Sequence, residues 1–105
     1  MTRVAVVTGA NRGLGFAFVK SLCTNFDGDV LLTSRNAQSG KEAVEQLRSQ
    51  GLQPKFHQLD ISDQESIATL TRFLEANYGG VDLLIQNASL GYGPDTDVPI
   101  AQQVG

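Results

Sequence analysis

Tryptophan is absent from these 105 residues, proline occurs three times, and histidine and cysteine once each. The single thiol, Cys23, cannot close an internal disulfide, and without thiol or clustered histidine partners it cannot nucleate a zinc site. Structural metal is set aside, and a reduced cysteine fits the cytoplasm. Excess positive charge is also missing: 8 Lys and Arg stand against 11 Asp and Glu, for a net charge of -3. The basic residues are scattered, so nothing builds the positive face that nucleic acid requires. No apolar run approaches the roughly 18 residues of a membrane span. The start MTRVAVVTG lacks the charged, apolar, then small-residue order of a secretory leader. Neither a membrane segment nor a leader is expected, and the length suits one small domain.

What the sequence does contain is an alternation of short β-rich runs with longer helical ones. Val4 to Thr8 is continuously apolar up to Gly9, as expected for a strand covered on both faces of a parallel sheet. From Gly13 to Phe26 the positions Leu14, Phe18, Leu22 and Phe26, flanked by Val19 and Cys23, repeat at helical spacing before Asp27-Gly28. Val30 to Thr33 reads as a second buried strand. Asn36 can cap a second helix carrying Ala43, Val44 and Leu47, and Gly51 supplies its stop. Pro54 opens a third strand, Lys55 to Leu59. Ser62-Asp63-Gln64-Glu65 has capping-box spacing ahead of Ile67, Leu70 and Leu74, and Gly79-Gly80 ends that helix. Val81 to Ile85 is a fourth strand, and Gly91, Gly93, Pro94 and Pro99 mark a loop-rich tail over 90–105.

Strands joined through helices imply right-handed parallel crossovers, and four of them in the order 3-2-1-4 make one half of a doubly wound, Rossmann-type α/β sheet with helices on both faces. A fourth strand so apolar is ordinarily paired on both sides, yet no fifth follows it. The chain is therefore expected to be a single truncated dinucleotide-binding domain over 1–105, able to self-associate through the open edge of its fourth strand.

Between the first strand and first helix lies Thr8-Gly9-Ala10-Asn11-Arg12-Gly13-Leu14-Gly15. Glycines there let backbone amides approach a pyrophosphate at the positive end of the helix. The spacing resembles the T-G-x-x-x-G-x-G fingerprint of the short-chain dehydrogenase/reductase family, and the βαβ setting gives it weight. Three more segments carry the resemblance: Gly28 to Arg35, Phe56 to Ile61, and Tyr78 to Asp82. The likeness is greatest to NADPH-dependent carbonyl reductases. It implies hydride transfer from NADPH to small-molecule aldehydes, ketones or quinones, which composition and periodicity alone do not reach.

An NAD site usually carries Asp or Glu about 20 residues past the glycine loop. Here the stretch is Thr33-Ser34-Arg35-Asn36, with no carboxylate. Arg35 can fork onto a 2′-phosphate and Arg12 can offer a second guanidinium, although each can also be a solvated charge. The resemblance further implies that Asp60 accepts from the adenine amino group with Ile61 beside the ring. Asp60 can equally cap the turn into the third helix, a role for which Ser62 and Asp63 compete. The expected cofactor-binding set is Gly9, Asn11, Arg12, Gly13, Leu14, Gly15, Arg35, Asp60, Ile61, Asn87 and Ala88; Asn11 can also be a turn residue. Gln86-Asn87-Ala88-Ser89 stands where the family has Asn-Asn-Ala-Gly and departs at both ends.

The family's proton relay uses Ser, Tyr-x-x-x-Lys and Asn. Tyr78 is followed four residues on by Asp82 and Tyr92 by Thr96, so no catalytic residue is assigned and the chain alone is expected to be inactive. His57 reads as a packing or solvent-facing group and Cys23 as a small core hydrophobe. Beside the reductase reading stand two others: a catalytically silent truncated or splice product that binds nucleotide or pairs with a full-length reductase, and a remnant too small to hold its fold.

Overall fold

The computed structural model describes residues 2–88. The tail at 90–105, with Ser89 and Tyr92, lies outside the described residues. The elements run β1 (Val4–Val7), α1 (Gly13–Asn25), β2 (Asp29–Ser34), α2 (Ala37–Arg48), β3 (Lys55–Gln58), α3 (Gln64–Tyr78) and β4 (Leu83–Ile85). The strands form one parallel sheet in the order β3-β2-β1-β4, the Rossmann-type half that the alternation predicts.

Period-two geometry, with both faces covered, explains why β1 and the Val30 to Leu32 stretch of β2 are apolar on successive residues. Val7, Val30 and Leu32 face Val19 of α1 and Ala43, Val44 and Leu47 of α2. Val4, Val6 and Leu31 face the other way, onto Leu59 and onto Leu70 and Leu74 of α3. Both sides of the central strands are therefore core, and truncating a sealed side chain such as Leu47 to alanine would cost roughly 2–5 kcal/mol.

The α1 stripe is rotated from the expected one. Gly15 and Val19 are its buried positions, Phe18 and Leu22 are only partly covered, and Leu14 is 55% exposed. The physical reason is the close seat of Gly15 on the loop below it, which turns Leu14 outward beside the glycine loop. Asn36 caps α2 as expected, its Oδ1 accepting from the Ser39 amide at 2.9 Å. Gly51, at φ +87°, closes that helix with the Leu52 amide on the Leu47 carbonyl and its own on that of Arg48. In α3 the cap is Asp63, which accepts from the Glu65 amide at 3.0 Å, while the Ser62 hydroxyl donates to Asp60. The capping box read from Ser62 is thus displaced by one residue, because Asp60 captures that serine.

β4 begins at Leu83, two residues later than the apolar run suggests, because Asp82 is occupied by Val4. The Val4 amide donates to Asp82 Oδ2 at 2.8 Å, and the Asp82 amide donates to the Val4 carbonyl at 3.0 Å. Among the described residues β4 pairs only with β1, and Val81, Leu83 and Leu84 are exposed.

Candidate cofactor site

Parallel pairing aligns the carboxyl ends of all four strands, and the expected site residues follow those ends. The glycine loop leaves β1, Arg35 follows β2, Asp60 and Ile61 follow β3, and Asn87 and Ala88 follow β4. That edge, next to the point where strand order reverses between β1 and β4, is where open α/β sheets bind ligands.

The loop is held from three sides. The buried Thr8 hydroxyl accepts from the amides of Asn87 at 2.8 Å and Ala88 at 3.0 Å. Asn87 Nδ2 donates to the Gly9 carbonyl at 3.0 Å, and the Ala10 amide donates to the Thr33 carbonyl at 2.9 Å. Gly9 adopts φ +60°, and a Cβ there would lie 2.9 Å from Ala88 Cα; one on Gly15 would lie 2.6 Å from the Gly9 carbonyl oxygen. Glycine at these two positions lets β4 and α1 close onto the loop.

Gly13 differs. Its φ is +63°, and a Cβ there would have no heavy atom within 4 Å beyond its chain neighbours and its own helix backbone, so its backbone borders open space. Among the described residues nothing accepts from the amides of Gly13, Leu14 and Gly15, and α1 has neither a side-chain cap nor an acid in its first turn. Three free donors at the positive end of a 13-residue helix, beside an open cradle, fit a phosphate group.

Arg12 and Arg35 are exposed and form no ion pair among the described residues. Arg35 and Asn36 follow β2 directly, and neither is a carboxylate. Asp60 Oδ1 accepts from the amide and the hydroxyl of Ser62, at 2.9 and 2.6 Å. Those bonds, with a smaller contribution from the Arg35 charge, hold its carboxyl below the ordinary carboxylate range. Asp60 therefore shapes the turn after β3 by holding Ser62, while the capping role that it shared as a candidate with Ser62 and Asp63 falls to Asp63. Asn11 reaches across to α2, its Nδ2 lying 3.4 Å from Ser39 Oγ. Gln86 is exposed.

The profile of the short chain dehydrogenase family matches residues 3–103. The chain belongs to this family. Carbonyl reductase 1 (NADPH) of Sus scrofa is 53% identical over 98 residues, covering 93% of the chain and 34% of that protein. Carbonyl reductase 3 (NADPH) of Homo sapiens is 50% identical over 98 residues, covering 93% of the chain and 35% of that protein. Among solved structures, menthone neomenthol reductase from Mentha piperita superimposes with a TM-score of 0.77 at 39% identity, over 86% of the chain and 32% of that structure. A metagenomic short-chain oxidoreductase in complex with NADP gives 0.74 at 32% identity, over 86% and 40%. The chain thus spans about a third of the length of the curated relatives it matches.

In this member of the family the lone polar and aromatic residues take structural places. The Tyr78 hydroxyl donates to Asp29 Oδ2 at 2.6 Å, at the amino end of β2 and away from the glycine loop. Burial, followed by the Asp29 bond, pushes its pKa upward, the wrong direction for a proton relay. The His57 ring packs on Phe73 at 4.9 Å between centroids. Cys23 packs half-buried against the core, and burial raises its pKa. Thr8 is the site residue whose role the sequence conceals: its place beside Gly9 is visible, but its partners lie some 80 residues away. No helix among the described residues is long and apolar enough to cross a membrane.

Proposed function

We propose that this chain holds NADPH at the carboxyl edge of its sheet and forms the cofactor-binding part of a carbonyl reductase acting on small aldehydes, ketones or quinones in the cytoplasm. The observation that carries the cofactor reading is the pair Arg12 and Arg35, neither in an ion pair among the described residues, where an NAD site would set an acid after β2. Two guanidiniums there offer forked donors to a 2′-phosphate dianion. The amides of Gly13 to Gly15 would hold the pyrophosphate, Asp60 and Ile61 would border the adenine, and Asn87 and Ala88 would line the ribose side of the loop. The names of the relatives, NADPH carbonyl reductases, support the same reading.

When bound, NADPH supplies a hydride for a carbonyl carbon. The carbonyl oxygen then needs a proton, and no Tyr with Lys four residues on is present to give one. The 105-residue chain is accordingly read as binding without turnover, its chemistry belonging to a longer protein. Calorimetric titration with NADP+ and NAD+ tests the reading. NADP+ should bind more tightly, with each arginine contributing roughly 1.5–3 kcal/mol through charged hydrogen bonds. Equal affinities, or an Arg35→Asp variant that still prefers NADP+, would refute it. NADPH oxidation in the presence of a quinone should stay at the background rate.

A further inference from the structure

We propose that Ser39 is a positioning residue, and that through Asn11 it sets the preference for a 2′-phosphorylated dinucleotide by locking the glycine loop to the turn between β2 and α2. The inference rests on the NADPH reading above and deepens it. Asn11 immediately precedes Arg12, and Asn36 immediately follows Arg35. A continuous set of hydrogen bonds joins these two neighbours. Asn11 Nδ2 donates to Ser39 Oγ at 3.4 Å, and the Ser39 hydroxyl donates to the Asn36 carbonyl at 3.3 Å. That same carbonyl accepts from Ser34 Oγ at 2.6 Å, and on the far side Gln58 Nε2 holds the Arg35 carbonyl at 3.0 Å. The backbone bearing Arg35 is therefore anchored to β2, β3 and α2, and Ser39 is the hydroxyl through which Asn11 reaches that frame.

The energetic reason concerns the two arginines. Both are long and exposed, so bringing two guanidiniums onto one dianion costs side-chain entropy that a fixed spacing between their backbones reduces. NAD carries no 2′-phosphate and gains nothing from that spacing. The remainder of the loop is secured by Thr8, Asn87 and the Ala10 to Thr33 bond, none of which passes through Ser39. The Asn36 cap of α2 accepts from the Ser39 amide, not its hydroxyl, so Ser39→Ala leaves that cap in place.

The test is calorimetric titration of NADP+ and NAD+ into the 105-residue chain, Ser39→Ala, Ser39→Thr, Asn11→Ala, and the Ser39→Ala, Asn11→Ala double variant, with thermal unfolding confirming that each variant is folded. Because the Asn11 contact is long, Ser39→Ala should weaken NADP+ by roughly three- to tenfold while leaving NAD+ within about twofold. Ser39→Thr, which keeps the hydroxyl, should restore the ratio, and the Ser39 effect should vanish once Asn11 is alanine. An unchanged NADP+ to NAD+ ratio in Ser39→Ala, equal losses for both dinucleotides, or an effect that persists without Asn11 overturns the inference while leaving the NADPH reading intact. Failure of the unmodified chain to prefer NADP+ overturns both.

Discussion

Replacing Thr8 by valine isolates the contact on which the loop geometry depends. Valine has nearly the shape of threonine, so the packing around a side chain that is 5% exposed survives. What is lost is the oxygen that accepts from the amides of Asn87 and Ala88 at 2.8 and 3.0 Å. A buried donor left without an acceptor costs about 1–3 kcal/mol, and because both amides are half-buried and partly reached by water the lower end applies to each, giving about 2 kcal/mol for the pair. For a domain of this size each kcal/mol corresponds to roughly 4–8 °C, so the melting temperature should fall by about 8–16 °C. Circular dichroism followed through a thermal scan measures it. Thr8→Ser is the control, since it keeps the oxygen and loses one methyl group, worth about 0.8 kcal/mol. A valine variant as stable as the serine variant would show that water satisfies both amides and that the hydroxyl does not latch β4 to the loop.

Three further outcomes are expected. Gly15→Ala should destabilise by about 1–3 kcal/mol in urea titration, since the new Cβ would meet the Gly9 carbonyl oxygen at 2.6 Å and Ala10 Cα at 2.8 Å, whereas Gly13→Ala, strained only by its left-handed backbone, should cost about 1–2 kcal/mol. The Tyr78 hydroxyl, followed by Lys55, holds the Asp29 carboxyl below the ordinary carboxylate range, so its contribution to stability is present above about pH 4 and is lost as the pH falls through the lowered pKa. Tyr78→Phe should therefore flatten the acid limb of a stability-against-pH curve and, with these groups partly exposed, cost roughly 1 kcal/mol at neutral pH; an unchanged acid limb would remove Tyr78 as the cause. The edge of β4 that has no partner among the described residues should drive self-association that rises with concentration in light scattering and is suppressed by Leu84→Lys, and a monodisperse monomer at high concentration would contradict it.

Continuous apolar runs over β1 and β2, helical spacing in α2 and α3, and the glycines at 9, 13 and 15 made the alternation and strand order legible, because each is dictated by local periodicity or by backbone space. The places of Arg12, Arg35, Asp60 and Asn87 at one edge followed from parallel pairing alone. Less legible were features decided by groups distant in sequence. β4 starts at Leu83 because Asp82 is engaged with Val4, 78 residues away, and Ser62 yields the α3 cap to Asp63 because Asp60 takes its hydroxyl. The tie between Tyr78 and Asp29 spans 49 residues, and no spacing rule reaches that far.

The same distance couples the site to the edge of the fold. Thr8 and Asn87 join the glycine loop to the end of β4, a three-residue strand with one partner among the described residues. The loop can be no firmer than that strand, since opening β4 would remove the acceptors and donors that fix Gly9 and leave Ala88 free to move off it. A dinucleotide that requires the loop in its bound shape therefore draws β4 into register and should stabilise it by mass action, by about 2.7 kcal/mol at a hundredfold excess over its dissociation constant. That stabilisation should register as slowed amide exchange at Asn87 and Ala88, which donate to Thr8, before it registers in α3. Equal slowing throughout the sheet would mean instead that β4 opens only when the whole domain unfolds.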